Sequence, residues 1–208
     1  MSITDIVGQA PVIPIVVIDD PAAAVPLARA LVEGGLPVIE VTLRTGQAVA
    51  AARAMIDRVP GAIVGLGTVT ARDHLAAALD IGARFVVSPG LSADLAEQAR
   101  RANLPYLPGI MTPSELMAAQ ALGLTVLKFF PAEPSGGVAA LKALSGPFPD
   151  VRFCPTGGID AAKAPAYLAL PNVIAVGGSW VAPKAAIDAG DWKAVADLAR
   201  AARVLRRN

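Results

Sequence analysis

The chain has 208 residues, enough for one domain with a sizeable core, and 54% of them are hydrophobic against 17% charged. Its 18 Lys and Arg nearly cancel its 17 Asp and Glu, so no broad field favours nucleic acid or an anionic membrane, and any anion must be recognised locally. Mean hydropathy is +0.55, but the apolar runs are cut by Gly, Pro or charge, and none approaches the roughly 18 unbroken apolar residues of a membrane-spanning helix.

Residues 1–9 carry Asp5 and no basic stretch, so no cleaved secretory signal is expected there. Cys154 is the single cysteine and has no partner for an internal disulfide. That fits a reducing, cytoplasmic setting.

Short β-type runs alternate with longer Ala-rich stretches along the whole chain. After a short helix within residues 2–9, strands are predicted at 12–18, 38–43, 63–67, 85–88, 105–107, 126–130, 151–154 and 173–176. Helices with apolar residues at i, i+3 and i+4 are predicted at 21–33, 47–59, 71–81, 93–102, 113–122, 138–144, 161–168 and 192–205. Gly34-Gly35, Gly82 and Gly123 punctuate helix ends. Thr112, Pro113 and Glu115 make a capping box with proline at the first helical position. Strict alternation means a parallel sheet. Eight units in this length predict a single-domain (β/α)8 TIM barrel, with an open doubly wound sheet as the alternative.

In such barrels the working residues stand at the C-terminal ends of the strands. Lys128 is the most informative of these, because it interrupts an apolar strand between Leu127 and Phe129. A buried lysine is rare unless paired or functional, and burial favours the neutral amine that a carbonyl needs for imine formation. The same position also reads as a lysine that faces the helices and snorkels outward, or as a member of a structural ion pair.

Glu40, between Ile39 and Val41, is a second charge in an apolar strand and a candidate proton shuttle beside the lysine. Its bland reading is an ion pair with Arg44 or Lys128. Arg44 follows in the loop, where its fork suits a carboxylate.

Thr156-Gly157-Gly158 and Gly177-Gly178-Ser179 follow the seventh and eighth strands, where barrels commonly hold phosphate. Bare backbone N–H groups there approach an anion closely.

Other chemistries drop out. Thr70 breaks the dinucleotide fingerprint that Gly65 and Gly67 begin, and there is no Walker A motif. The lone histidine, His74, lies in a predicted helix, so neither a serine triad nor a histidine-rich metal site is expected. Cys154 reads as a small core residue. Lys142, Lys163, Lys184 and Lys193 read as solvated surface residues.

At these residues the chain resembles the 2-keto-3-deoxy-6-phosphogluconate (KDPG) aldolase family. The matching stretches are Glu40-Val41-Thr42-Leu43-Arg44, Gly65-Leu66-Gly67-Thr68, Ser88-Pro89-Gly90, Pro108-Gly109-Ile110, Lys128-Phe129-Phe130-Pro131-Ala132-Glu133, Arg152-Phe153-Cys154-Pro155-Thr156-Gly157-Gly158-Ile159 and Gly177-Gly178-Ser179-Trp180. They follow the family's order over nearly the whole chain. Leu66 stands where the family often has Ala, a packing change.

The resemblance implies a Schiff-base aldolase on a (β/α)8 fold, typically a homotrimer, with no metal or cofactor. The implied reaction cleaves 2-dehydro-3-deoxy-6-phosphogluconate to pyruvate and D-glyceraldehyde 3-phosphate, the Entner-Doudoroff step, with 4-hydroxy-2-oxoglutarate as a further substrate. It implies that Lys128 forms the imine and Glu40 is the general acid and base. Arg44, Thr68 and Pro89 would surround the keto-acid end and Phe130 would wall the imine. Thr156, Gly157, Gly158, Gly178 and Ser179 would hold the phosphate. Three alternatives stay open: an aldolase for the galactonate epimer, a phosphosugar isomerase with Glu40 as base, and a non-catalytic phospho-sugar-binding barrel.

Overall fold

The structure is a computed structural model, and it describes residues 1–205. A short helix, α1 (Ile3–Val7), opens the chain, with Ser2 and Asp5 forming a capping box. Strand and helix then alternate: β1 (Val12–Val16), α2 (Ala24–Glu33), β2 (Val38–Thr42), α3 (Ala48–Arg58), β3 (Ile63–Gly67), α4 (Arg72–Asp80), β4 (Val86–Val87) and α5 (Ala93–Arg101). The second half runs β5 (Tyr106–Leu107), β6 (Gly109–Ile110), α6 (Pro113–Ala121), β7 (Val126–Phe129), α7 (Gly137–Leu144), β8 (Arg152–Pro155), α8 (Ala164–Leu168), β9 (Val176–Gly178), α9 (Lys184–Asp188) and α10 (Trp192–Arg203). Among the described residues, no helix is long and apolar enough to cross a membrane.

All strand pairs are parallel. One sheet has the order β5-β4-β3-β2-β1-β9, and the other β6-β7-β8. The order follows the chain without the reversal that marks a doubly wound sheet, and the last strand lies beside the first. Isolated parallel bridges join Phe153 to Val173 and Thr156 to Gly177, between β8 and the run leading into β9.

Several predicted boundaries shift for local reasons. The fifth strand, expected at 105–107, is interrupted at Pro108, which has no N–H to give a ladder. The chain resumes as β6 and pairs with β7 instead. The eighth strand, expected at 173–176, is ordered from Val176 onward, where it pairs with Val12–Pro14 of β1. The helix expected from 161 begins at Ala164, because the Asp160 carboxylate binds the N–H groups of Ala162 and Lys163 in a turn. The five-residue α9 is too short to show a period and was not expected.

The core has two layers. The larger packs the helices onto the sheets and takes Ile39 and Val41 from β2 and Leu127 and Phe129 from β7. The smaller gathers Val38, Val126, Phe85, Leu107, Cys154 and Ala175, with Ile6 and Val7 of α1 against it. Residues alternate between the two layers along each strand, as a pleat requires. Glu40 therefore shares the face of Val38, and Lys128 the face of Val126.

Candidate active site

That alternation excludes one reading of Lys128. It points away from the helices, into the interior, and cannot snorkel outward between them. The residue is 6% exposed, and Glu40 is 3% exposed. Lys128 Nζ donates to Glu40 Oε1 at 3.1 Å and to Oε2 at 3.4 Å. The two residues are 88 apart in sequence and come from different sheets.

Neighbouring glycines make the room. Glu40 stands level with Gly65, and its side chain leans toward Gly67, two residues further along the same face. A β-carbon on Gly67 would collide with the Glu40 carboxylate. Lys128 stands level with Gly109 on one side and Cys154 on the other.

Cys154 is buried beside Lys128, level with it on β8, and burial pushes its thiol up to about 12. It is neutral at physiological pH. Lys128 Nζ also lies 5.4 Å from the centroid of the Phe130 ring, within cation–π reach. Phe130 is half-buried and joined to Pro131 by a cis peptide.

Arg44 is exposed in the loop after β2, and its guanidinium makes no hydrogen bond or ion pair among the described residues. The loop itself is fixed, because Thr45 Oγ1 donates to the carbonyl of Ile18 at 2.6 Å. Arg44 therefore does not pair with Glu40. Thr68 directly follows β3 and is half-buried, with φ of 61°. That conformation is costly for a β-branched residue. Pro89 is exposed, in a loop held by Ser88, whose hydroxyl contacts the carbonyl of Gly90 at 2.5 Å and Tyr106 Oη at 2.6 Å.

The two glycine-rich stretches meet. The Thr156–Gly177 bridge sets them side by side, with Thr156 and Gly178 buried and Ser179 exposed. Gly157 and Gly158 have φ of 105° and 79°, conformations that L side chains rarely adopt. A β-carbon on Gly177 would run into Thr156 Oγ1.

Two lysines read as plain surface residues have structural partners. Lys163 Nζ lies 2.8 Å from Glu133 Oε2 and donates to the Gly158 carbonyl at 2.9 Å. Lys184 Nζ lies 2.8 Å from Asp19 and 2.9 Å from Asp188, which ties α9 to the loop after β1. Those two carboxylates raise Lys184 to about 12. The contacts with Glu133 and Asp19 had no signal in the sequence, because the fold brings those partners in, whereas Asp188 stands four residues after Lys184 on the same helix. Among the described residues, no three His, Cys, Asp or Glu side chains are grouped to hold a metal ion.

A parallel α/β fold enclosing a buried amine and carboxylate, with paired glycine turns at the neighbouring strand ends, has the features of a lyase of the aldolase class. A family model described as KDPG and KHG aldolase matches residues 3–198. A 2-dehydro-3-deoxy-phosphogluconate aldolase from Pseudoalteromonas atlantica is 50% identical, over 97% of this chain and 94% of its own length. The structure of the Zymomonas mobilis 2-keto-3-deoxy-6-phosphogluconate aldolase with 3-phosphoglycerate superimposes with a TM-score of 0.93 at 46% identity, covering 99% of this chain and 96% of the other. The Legionella pneumophila KDPG aldolase, with pyruvate captured at low pH as a covalent carbinolamine intermediate, gives 0.95 at 41% identity over 98% of both chains. The chain belongs to the KDPG and KHG aldolase family.

Proposed function

We propose that this chain is a Schiff-base aldolase that cleaves 2-dehydro-3-deoxy-6-phosphogluconate to pyruvate and D-glyceraldehyde 3-phosphate, with Lys128 as the imine-forming residue. The carrying observation is the Lys128–Glu40 pair. An ammonium is no nucleophile, and Glu40 is an acceptor for its proton only 3.1 Å away.

The steps balance around Glu40. It takes the proton of Lys128, and the neutral amine attacks the C2 ketone to give a carbinolamine. Glu40 returns the proton to the carbinolamine hydroxyl, water leaves, and an iminium remains as the electron sink. The Glu40 carboxylate next takes the C4 hydroxyl proton while C3–C4 breaks, the bonding pair moves into an enamine, and the aldehyde departs. Glu40 protonates C3, water adds to the iminium, and pyruvate leaves. The same carboxylate serves as base and acid in turn.

In this reading Arg44, Thr68 and Pro89 bind the keto-acid end, and Phe130 walls the imine. Support for Arg44 is its unpaired guanidinium on an anchored loop. Thr156, Gly157, Gly158, Gly178 and Ser179 bind the phosphate, supported by the bridge that joins their two turns. The family's description also supports action on 4-hydroxy-2-oxoglutarate.

The two sheets are read as arcs of one closed (β/α)8 barrel in a single domain. The reading rests on continuity of β5 and β6 through Pro108 and on the bridges from β8 toward β9. A homotrimer is proposed, supported by an apolar face of Met111, Pro113, Ala140, Ala143, Pro147 and Phe148 on which Met111 is 50% exposed. A cytoplasmic location fits the single, reduced cysteine.

The test is borohydride reduction with pyruvate, followed by mass analysis of the peptide that carries Lys128. A reduced pyruvate adduct on that lysine is expected, together with pyruvate release from the phosphorylated substrate. Absence of the adduct overturns the covalent mechanism.

A further inference from the structure

Behind the Gly157–Gly158 turn lies a polar cluster that no step of the reaction uses. Lys163 Nζ contacts both Glu133 Oε2, at 2.8 Å, and the carbonyl of Gly158, at 2.9 Å. The other Glu133 oxygen accepts a hydrogen bond from the Tyr167 hydroxyl. The backbone N–H of Glu133 donates to the Gly157 carbonyl at 3.0 Å, and that of Ala132 to the Thr156 carbonyl at 2.7 Å. Asp160 orients the start of the Lys163 segment by accepting from the Lys163 N–H at 2.9 Å. The Glu133 side chain also fills the space a β-carbon on Gly158 would need, with Cβ and Cγ each 2.8 Å from that point.

The carbonyls of all three residues of the turn are thus held from behind. A peptide whose carbonyl is fixed on one side presents the following N–H to the other. Gly157 and Gly158, at φ of 105° and 79°, are also the residues with most freedom to lose this orientation. The Lys163 hydrogen bond raises neither bulk nor charge at the mouth, but it removes that freedom at Gly158. The partnership keeps Glu133 ionised, because the Lys163 ammonium and then the Tyr167 hydroxyl hold its carboxyl below the usual range.

We propose that Lys163 is a positioning residue for phosphate: by holding the Gly158 carbonyl, and with it Glu133, whose backbone N–H holds the Gly157 carbonyl, it keeps the N–H groups of Ile159 and Gly158 aimed at the phosphate and so favours phosphorylated over unphosphorylated 2-keto acids. The inference rests on the reading of this turn as the phosphate end. It concerns the distal end of the substrate only, since Lys163 lies behind the turn and the amine–carboxylate pair lies in the interior.

The test compares Lys163→Ala and Lys163→Arg with the parent chain. Both Lys163 and Glu133 are partly exposed, with side-chain exposures of 45% and 33%, so the effect is modest. KM for the phosphorylated substrate is expected to rise about three- to tenfold in Lys163→Ala, with kcat held within about twofold, as a partly exposed ion pair and one hydrogen bond allow. The constants for 4-hydroxy-2-oxoglutarate stay as in the parent. Lys163→Arg, which keeps the donor and the charge, recovers most of the loss. A merely structural role would move both substrates together, and that result, or no change in either, overturns the proposal. Inorganic phosphate, titrated calorimetrically, reads the turn without catalysis and is expected to bind Lys163→Ala more weakly by the same factor. Failure of the parent chain to trap pyruvate would defeat the aldolase reading, whereas equal phosphate binding by both forms defeats only the role given to Lys163.

Discussion

A β-carbon on Gly67 would stand 2.6 Å from Cγ and 2.8 Å from Cδ of Glu40, so the bare backbone of β3 is the space in which the Glu40 side chain lies. Glycine in a strand interior weakens the strand, since it costs unfolded-state entropy and packs nothing. Here the omission lets a carboxylate lean along the β2–β3 seam and reach Lys128 on another sheet.

Gly67→Ala therefore has two linked effects. Overpacking in a well-filled interior costs about 1–3 kcal/mol, which urea unfolding reads as a lower midpoint at unchanged slope. The displaced Glu40 no longer meets Lys128 at 3.1 Å, so kcat falls by at least the roughly hundredfold that a general acid–base group contributes. A Gly67→Ala chain with normal turnover would mean that this contact does not govern the reaction.

The Lys128–Glu40 pair itself yields a double-mutant cycle. Both members are almost wholly removed from water. Taking away one leaves the other unpaired, a loss of about 3–5 kcal/mol, while replacing both with apolar residues of similar volume is close to neutral or stabilising. Lys128→Met and Glu40→Leu are each expected to lower stability, and the double variant to regain most of it. Both Lys128→Met chains lose turnover entirely, which separates stability from chemistry. Additive losses across the cycle would mean that the two charges are not coupled.

Much of this arrangement was legible in the sequence, and what was missed has a physical pattern. The repeated alternation of strand and helix follows from local propensity, so the order of the main elements could be read directly. Lys128 and Glu40 stood out because each is a charge in an apolar strand. Which face Lys128 occupies depends on the register of β7, and that is set by neighbours far away in sequence. The break at Pro108 was visible as a proline, but its consequence, a change of pairing partner from β4 to β7, is a property of the sheet. The roles of Gly67 and Lys163 were hidden for the same reason. A glycine that makes room for a side chain on the next strand looks like any glycine, and a lysine whose partner is 30 residues away looks like any surface lysine.

Cys154 gives a pH signature. Its buried thiol is raised to about 12, against about 8.5 for an unfolded cysteine. Below pH 8.5 both states carry the proton and the thiol contributes no pH dependence. Between there and about 12 the unfolded chain releases the proton while the folded chain keeps it, so stability falls as pH rises, by at most about 1.4 kcal/mol per pH unit. Urea midpoints from pH 7 to 10.5 are expected to drop more steeply for the parent chain than for Cys154→Ala, although the variant starts lower because it leaves a small cavity. The folded protein also resists alkylation by iodoacetamide at pH 8, where the unfolded chain reacts, because only the thiolate is nucleophilic. Rapid native-state alkylation, or parallel pH slopes for the two chains, would place the Cys154 thiol within reach of water and remove it from the dry interior beside Lys128.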